Sequence, residues 1–300
     1  MPDPSALRVA VVGPGAIGAA VAAIALEGGH QVTLCGRTPA GSIVVCPDDG
    51  PEVVVPGPVL TDPGAAPAEV DLVLVAVKAH QTEGAVPWLR ALSPPGGQAP
   101  VVALQNGVEQ RAMLRPHVSP QAPVVPSVVW FPAEVTEPGR VRLRLRPSIT
   151  LPDEPGAGLA QGVLSGGCDV DLASDFPTVA WRKLTLNAVA ALLVLSGRRA
   201  AVYGRPDVHG LSRALALECL AVARAEGADL PDTVADEIMA QFEAMPPDMG
   251  TSMLFDREAG RELEWDARNG VVQRLGARHG VPTPISDVIV PLLAAASGEA

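Results

Sequence analysis

The sequence predicts an α/β protein in which a parallel-sheet domain is followed by an all-helical domain. Residues 9–36 form a strand, glycine turn, helix and strand pattern, and short apolar strand-like segments recur up to about residue 173. Beyond Phe176 the strand signals stop and long helical segments replace them. We therefore expect a first domain over residues 1–174, a second over 175–300, and a boundary between Ala173 and Pro177. The cleft between two such domains is the expected substrate site.

The first of these elements begins with an apolar, β-branched run at residues 9–12. The run breaks at Gly13-Pro14-Gly15-Ala16-Ile17-Gly18, and an alanine-rich segment follows, which is a strongly helix-forming composition. Gly28-Gly29 ends that helix, and residues 30–35 are again extended and apolar. A complete unit of this kind is typical of a Rossmann-type dinucleotide-binding domain.

Each glycine of the turn has a separate expected role. Gly13 permits the sharp turn that leaves the strand, Gly15 lets a pyrophosphate approach the backbone, and Gly18 lets the helix pack closely on the sheet. The phosphates would then bind the unpaired N–H groups at the positive end of the helix. The alternative is a glycine turn that serves packing alone.

The end of the second strand indicates which dinucleotide is bound. A carboxylate there would bind the ribose hydroxyls of NAD, whereas a cation suits the 2′-phosphate of NADP. This chain has Gly36-Arg37-Thr38 and no carboxylate before Asp48, which favours NADP. The alternative for Arg37 is an ordinary solvated arginine.

Composition excludes several classes of partner. The chain has 300 residues, 48% of them apolar, and a net charge of −11 without a basic run, which argues against nucleic acid and anionic membrane surfaces. The N-terminus MPDPSALR lacks the features of a signal peptide, and we expect no apolar run long enough to cross a bilayer. The four cysteines are far apart, so neither a metal site nor a disulfide framework is expected. Cytoplasmic localisation follows as the default.

The next segments predict the rest of the sheet. Residues 43–55 suggest two short antiparallel strands around a turn, residues 70–77 and 101–104 suggest buried parallel strands, and residues 81–92 a helix. Lys78 and Asn106 follow two of these strands. Because ligands of open α/β sheets bind beyond the carboxyl ends of strands, both residues are expected at the ligand site.

Residues 123–151 are strand-like, and Arg142, Arg144 and Arg146 alternate with apolar residues there. This period of two predicts one arginine face, for which a solvated surface is favoured over a binding patch. Residues 152–167, rich in proline and glycine, are expected to form loops. Later helices are predicted at residues 179–196, 208–226 and 233–244, with two more after Gly250.

Polar residues interrupt two of the later segments. Lys183 and Asn187 are one helical turn apart in the apolar segment WRKLTLNAVAALLVL. The lysine either extends to solvent along the helix end or points into a polar cavity, and the pattern leaves both open. The segment TSMLFDREAGRELEWDARNG holds Ser252, Glu264, Asp266 and Asn269, among which the pattern alone does not choose.

Five blocks in order, from residue 9 to 284, resemble the ketopantoate reductase (2-dehydropantoate 2-reductase) family: GPGAIG, VKAHQT, QNGV, WRKLTLNA and TSMLFDREAGRELEWDARNG, followed by HGVPTP. The resemblance implies reduction of a branched 2-keto acid to a 2-hydroxy acid by NADPH, on the route to pantothenate. It implies a proton donor at Lys183 and a second catalytic residue, Glu264, near the substrate hydroxyl and the cofactor.

The resemblance also implies the remaining site residues. The substrate would be bound by Asn106, Lys183, Asn187 and Ser252, and the cofactor by Gly13 to Gly18, Arg37, Lys78, Asn106, Ala133 and Glu264. The chain departs from the family at Ala191, two helical turns after Lys183, where a further asparagine is usual. That departure predicts an apolar wall and a bulkier or less hydroxylated 2-keto acid as an alternative substrate.

The sequence thus predicts an NADP-dependent cytoplasmic oxidoreductase acting on a small 2-keto acid. One alternative is a relative that reduces a different ketone or imine, and another is a non-catalytic NADPH-binding regulator. An exposed apolar helix in the second domain would be compatible with a homodimer.

Overall fold

The computed structural model describes residues 6–297. The chain divides into two compact units. The first extends to Gln105 and resumes over Glu109–Phe176, and the second takes in Asn106–Val108 and continues from Pro177. The predicted fold class, a parallel-sheet domain before a helical domain, is confirmed.

The described residues contain twelve strands, all before Phe176. They are β1 (Arg8–Val12), β2 (Gln31–Cys35), β3 (Ser42–Pro47), β4 (Val53–Pro56), β5 (Leu72–Val75), β6 (Val101–Ala103), β7 (Val124–Pro126), β8 (Val128–Val129), β9 (Ala133–Glu137), β10 (Arg140–Leu143), β11 (Ser148–Pro152) and β12 (Asp169–Ala173).

Ten α-helices accompany them in the described part of the chain. They are α1 (Ala16–Glu27), α2 (Thr82–Leu92), α3 (Gln110–Leu114), α4 (Ala157–Leu164), α5 (Phe176–Ser196), α6 (Pro206–Ala225), α7 (Thr233–Glu243), α8 (Ser252–Glu258), α9 (Val271–His279) and α10 (Pro284–Ala296).

The main sheet of the first unit is parallel, with strand order β2-β1-β5-β6-β7. Its strands are buried on both faces because side chains alternate between two apolar layers. Val9 and Val11 of β1 pack in the layer that contains α1, whereas Ala10 and Val12 pack in the layer that contains α2. The carboxyl ends of β1, β5 and β6 therefore share one edge of the sheet, which is the edge at which the sequence predicts ligand-binding residues.

The remaining strands form two smaller sheets in the order β4-β3-β10-β9 and β12-β11-β8. The predicted antiparallel pair is β3 and β4. The prediction that Arg142, Arg144 and Arg146 share one strand was wrong, because β10 ends at Leu143. Each of the three arginines pairs with a different acidic residue. The exposed pairs are Arg142–Asp48 at 2.6 Å, Arg144–Glu134 at 2.7 Å and Arg146–Asp169 at 2.9 Å. These pairs agree with the solvated-surface interpretation.

Three other sequence predictions were wrong. Residues 152–167 contain α4, which starts after Gly156 in the left-handed conformation (φ +94°) and buries Ala157, Ala160 and Val163. Three α-helices, not two, follow Gly250 in the described residues, with a π-helical turn at Asp266–Gly270 between α8 and α9. The turn gave no separate signal because its residues are polar and continuous with α9.

The third concerns the longest apolar helix. With 21 residues, α5 is long and apolar enough to cross a membrane by length and composition, although no run of this kind was expected. Two-thirds of its most apolar window is buried inside the protein (67%), as in the central helix of a globular core. Leu184, Ala188 and Leu193 of α5 pack in the apolar cluster to which α6, α7 and α9 contribute.

Candidate active site

The glycine turn after β1 has the geometry that its sequence predicts. Gly13 has a φ of +87° and donates its N–H to the carbonyl of Cys35, at the end of β2, at 2.8 Å. A Cβ on Gly13 would lie 2.6 Å from Cγ1 of Val77, and one on Gly18 would overlap the carbonyl oxygen of Gly13. Neither position has room for a side chain, so these two glycines are required by backbone conformation and close packing.

Gly15 differs from its two neighbours because a Cβ built there would meet no atom within 4 Å. It is the N-cap of α1, and no side chain caps the helix. The first N–H groups of α1, beginning at Ala16 and Ile17, therefore have the orientation and partial positive charge that favour an anion. A pyrophosphate fits this open turn, which Pro14 also lines.

Arg37 lies two residues beyond β2 and is exposed. A Cβ on the preceding Gly36 would lie 3.0 Å from Cδ of Pro14, so the chain at the end of β2 runs against the glycine turn. Ala133, at the start of β9, packs against the apolar layer that contains α1. Both residues belong to the same unit as the turn.

Lys78 follows β5 in a loop that a buried glutamine fixes. Gln105 donates its side-chain amide to the carbonyl of Val77 at 3.1 Å and to the hydroxyl of Thr82 at 3.0 Å. The loop after β5 is thereby tied to the end of β6. The half-buried Lys78 starts from a fixed backbone position in the first unit.

The other predicted site residues come together within the second unit. Asn106 donates its side-chain amide to Oε2 of Glu264 at 3.0 Å, and Asn187 donates to Oδ1 of Asn106 at 3.3 Å. Glu264 and Asn187 are only 6% and 7% exposed. Buried polar groups of this kind are stabilised only when they are hydrogen-bonded, and here three residues far apart in sequence satisfy one another.

The short Asn106–Val108 segment is held in this unit by tight packing. Gly107 has a φ of +107°, and a Cβ there would lie 3.2 Å from the carbonyl oxygen of Ala267 in the π-helical turn. Asn269 of the same turn is fully buried and donates its amide to the carbonyl of Ala188 on α5 at 3.1 Å. The turn is thus fixed to α5, and π-helical turns are frequent at functional sites.

Lys183 lies on α5, one turn before Asn187. Burial, and to a smaller extent the positive charge of Arg268, together lower the pKa of its ammonium from 10.5 to about 8. This burial argues against a side chain that extends to solvent along the helix end. An ammonium with such a pKa is charged at neutral pH and gives up its proton more readily than an ordinary lysine.

Arg268 was missed by the sequence analysis, although its separation of four residues from Glu264 could have indicated it. Its side chain is 5% exposed, and Nη2 donates to Oε2 of Glu264 at 3.3 Å and to the hydroxyl of Ser252 at 3.1 Å. Ser252 is the exposed first residue of α8, a helix capped by Thr251. Arg268 therefore joins Ser252 to the network of Glu264, Asn106 and Asn187.

Ala191 is fully buried in the apolar cluster of the second unit. In residues 6–297 no group of three histidine, cysteine or acidic side chains could hold a metal ion.

This arrangement defines a class of protein: a parallel-sheet unit with a Rossmann-type glycine turn, and a helical unit that holds a lysine of lowered pKa and a buried glutamate. Comparison with known proteins is more specific. Residues 9–156 match the family model described as ketopantoate reductase PanE/ApbA, and residues 175–297 match its C-terminal counterpart. The chain belongs to the ketopantoate reductase family and is an enzyme, an oxidoreductase of the kind that uses a nicotinamide cofactor.

Individual relatives support this membership over nearly the whole chain. A 2-dehydropantoate 2-reductase of Mycobacterium tuberculosis is 50% identical over 97% of this chain and 98% of its own length. One from Caulobacter vibrioides is 40% identical, over 96% and 99%. The crystal structure of a ketopantoate reductase from Ralstonia eutropha superposes with a TM-score of 0.86 at 30% identity, covering 98% and 99% of the two chains.

A more distant structure shares the fold alone. D-mandelate dehydrogenase, solved with NADH and anilino(oxo)acetate, superposes with a TM-score of 0.84 at 22% identity, over 97% of this chain and 98% of that one.

Proposed function

We propose that this enzyme binds NADPH and reduces a 2-keto acid to a 2-hydroxy acid, with 2-dehydropantoate as the first candidate substrate. The observation that carries the proposal is that Lys183, with a pKa of about 8, lies in the same unit as the hydrogen-bonded residues Glu264, Asn106 and Asn187. The names of the relatives at 50% and 40% identity support the choice of substrate. On this proposal the product is pantoate, and the reaction is a step of pantothenate biosynthesis in the cytoplasm.

Within the proposal, residues Gly13 to Gly18 and Arg37 bind the cofactor. The open face at Gly15 accepts the pyrophosphate, and the Arg37 guanidinium pairs with the 2′-phosphate that distinguishes NADP from NAD. Lys78, Asn106, Ala133 and Glu264 complete the cofactor contacts that the family resemblance implies. The reduced nicotinamide, when bound, supplies hydride to the carbonyl carbon of the substrate.

Lys183 is proposed as the proton donor. Negative charge develops on the carbonyl oxygen as the carbon is reduced, and a nearby ammonium stabilises that charge more in the transition state than in the ground state. Lys183 then transfers a proton from Nζ to the oxygen, which leaves a neutral amine and a hydroxyl group. The low pKa favours this transfer, while the lysine still starts protonated at pH 7.

The neighbouring groups orient the substrate. Asn187 and Ser252 are proposed to hold substrate oxygens, and Glu264 to accept a hydrogen bond from a substrate hydroxyl while Asn106 fixes its carboxylate. Because Glu264 is almost fully buried, its carboxylate retains one orientation, which limits the entropy lost on substrate binding.

A second candidate is the same chemistry on a different ketone or imine. The observation that favours it is Ala191, which is fully buried among apolar side chains and offers the substrate no hydrogen bond. A pocket built to pair a hydroxyl discriminates strongly against substrates that lack it, and the loss of a partner removes part of that discrimination.

One experiment tests these proposals together. NADPH and NADH oxidation is followed with a panel of 2-keto acids that includes 2-dehydropantoate, 2-oxo-3-methylbutanoate and phenylglyoxylate, and with neutral ketones and imines. Preference for NADPH and 2-dehydropantoate supports the first candidate. Preference for a bulkier acid or another carbonyl supports the second, and turnover of none of them contradicts both.

We also propose a homodimer, since a ketopantoate reductase from Staphylococcus aureus with a TM-score of 0.86 and 25% identity is described as dimeric. The exposed Val288 and Leu292, one turn apart on α10, are compatible with a subunit contact. Sedimentation of the protein at micromolar concentration decides between a monomer and a dimer.

A further inference from the structure

The network in the second unit contains a cation that the proposed mechanism does not use. Arg268 is 4% exposed, and its hydrogen bonds to Glu264 and Ser252 both come from Nη2. Its Nε is buried and has no hydrogen-bond partner among residues 6–297. A buried charged donor without an acceptor is costly, and such groups are rare unless a ligand completes them.

The group that would complete Arg268 must be an acceptor and is expected to be an anion. Glu264 is the acidic partner of this guanidinium, but its Oε2 also accepts the amide of Asn106, and the contact to Nη2 is long at 3.3 Å. The unpaired Nε–H, with the Ser252 hydroxyl beside the guanidinium, suits a carboxylate, whose two oxygens can each accept a hydrogen bond. A 2-keto acid carries a carboxylate directly beside the carbonyl that is reduced.

We infer that Arg268 is a substrate-binding residue that holds the carboxylate of the 2-keto acid and makes the enzyme select acids over neutral carbonyl compounds. The inference rests on the proposed function. The Nε–H donates to one carboxylate oxygen, and the hydroxyl of Ser252, which accepts from Nη2, donates to the other. Fixing the carboxylate in this way also fixes the adjacent carbonyl group, whose oxygen must meet the proton donor.

The position of Arg268 fits this role better than a purely structural one. It contacts Ser252 and Glu264, two residues assigned to the substrate on independent grounds, and it lies near enough to Lys183 for its charge to act on that ammonium. Two cations in one buried site repel each other in the free enzyme, and an incoming anion relieves that repulsion. A neutral ketone or ester would not.

The test compares one carbon skeleton with and without the charge. The probes are 2-oxo-3-methylbutanoate and its methyl ester, assayed with NADPH on the wild type, Arg268→Met and Arg268→Lys. The control is Arg213→Met, because Arg213 is an exposed arginine of the same unit that pairs with Asp236 on the surface. NADPH affinity is measured for each protein by fluorescence.

We expect the wild type to prefer the acid, and Arg268→Met to lower kcat/KM for the acid by about 100-fold, the effect of removing one partner of a buried charge pair. The ester should lose less than about fivefold, so that the preference collapses. Arg268→Lys should keep part of the preference, since it retains the charge but not the fork. NADPH affinity and the Arg213→Met variant should match the wild type.

Other outcomes overturn the inference. Equal losses on acid and ester would show that Arg268 only orients Glu264, and a fall in NADPH affinity would place Arg268 at the cofactor instead. If the wild type reduced neither probe nor any acid of the panel, the proposed function would fail. Calorimetric titration of 2-oxo-3-methylbutanoate into the same variants would then still decide whether Arg268 binds the carboxylate.

Discussion

Glu264 and Arg268 form a buried ion pair, with 3.3 Å between Oε2 and Nη2 and side chains that are 6% and 5% exposed. They are four positions apart, with Glu264 just before the π-helical turn at Asp266–Gly270 and Arg268 within it. Asn106 donates a further hydrogen bond to the same carboxylate oxygen. The pair is therefore a structural unit as well as a part of the proposed site.

We expect Glu264→Gln to lower the free energy of unfolding by about 3 kcal/mol, because the change leaves a buried guanidinium without its counter-charge. Replacing both partners, Glu264→Gln with Arg268→Met, should lose less than the sum of the two single changes. Urea denaturation of the four proteins measures this cycle. Additive losses would show that the two side chains do not stabilise one another.

The pH dependence of turnover follows from the pKa of Lys183. A proton donor must be protonated in the free enzyme, so kcat/KM should be constant at neutral pH and fall as pH rises through about 8. Because the charge of Arg268 lowers this pKa, Arg268→Met should move the decline to higher pH.

Lys183→Ala should lower turnover by about 100- to 1000-fold while NADPH still binds. Near-normal turnover in that variant would exclude Lys183 as the donor.

The same pKa predicts a cost in stability. The unfolded chain binds the Lys183 proton up to pH 10.5 and the folded chain only up to about 8, so the free energy of unfolding should rise with pH between these values. The difference corresponds to about 3 kcal/mol. Lys183→Met should therefore stabilise the protein at pH 7 by roughly that amount, less any loss of packing.

Chemical denaturation at pH 7 and pH 10 checks this expectation. The matched control is Arg182→Met, since Arg182 is the adjacent residue of α5 and pairs with Glu237 at the surface. Its change should stay within about 1 kcal/mol. A Lys183→Met protein less stable than the wild type at pH 7 would contradict the desolvation argument.

The sequence predicted the fold where the signals are local. The strand at residues 9–12, the glycine turn and the helix after it follow one another directly, so that each supports the next. Helix α4 was missed because its residues are small and its neighbours are proline and glycine, and only the burial of Ala157, Ala160 and Val163 makes it a helix. Propensity is a weak guide where packing decides.

The candidate site illustrates the same limit. Sequence resemblance pointed to Lys183 and Glu264 one at a time, but no local pattern indicates that Asn106 bonds to residues 81 and 158 positions away. Arg268 was missed for a related reason. An arginine in a segment rich in charges is typically solvated, and only tertiary structure shows that this one is 4% exposed.

Two glycines of the turn predict opposite outcomes for the same substitution. Gly18→Ala places a methyl group on the carbonyl oxygen of Gly13 and should lower stability by about 1–3 kcal/mol. Gly15→Ala meets no protein atom within 4 Å and should leave the melting temperature unchanged.

Cofactor binding should show the reverse sensitivity at Gly15. If a pyrophosphate occupies the open turn, the added methyl group overlaps it and weakens NADPH binding by roughly tenfold or more. Melting curves with and without NADPH measure both effects. Unchanged NADPH affinity in Gly15→Ala would leave the turn with a packing role alone.

Arg37 decides the choice between the two nicotinamide cofactors. It is exposed beyond β2, where the chain runs against the glycine turn, and a 2′-phosphate bound there would accept charge-assisted hydrogen bonds from its guanidinium. Such bonds are worth about 1.5–3 kcal/mol, so Arg37→Ala should raise the KM for NADPH by roughly 10- to 100-fold and leave that for NADH within about twofold. Arg146→Ala, which removes a surface pair with Asp169, is the matched control and should change neither. Raising the salt concentration should weaken NADPH binding to the wild type more than to Arg37→Ala, because salt screens the arginine–phosphate pair, which only the wild type can form. Equal losses for NADPH and NADH in Arg37→Ala would show that this arginine supports the turn without reading the phosphate, and the preference for NADP would then need another source.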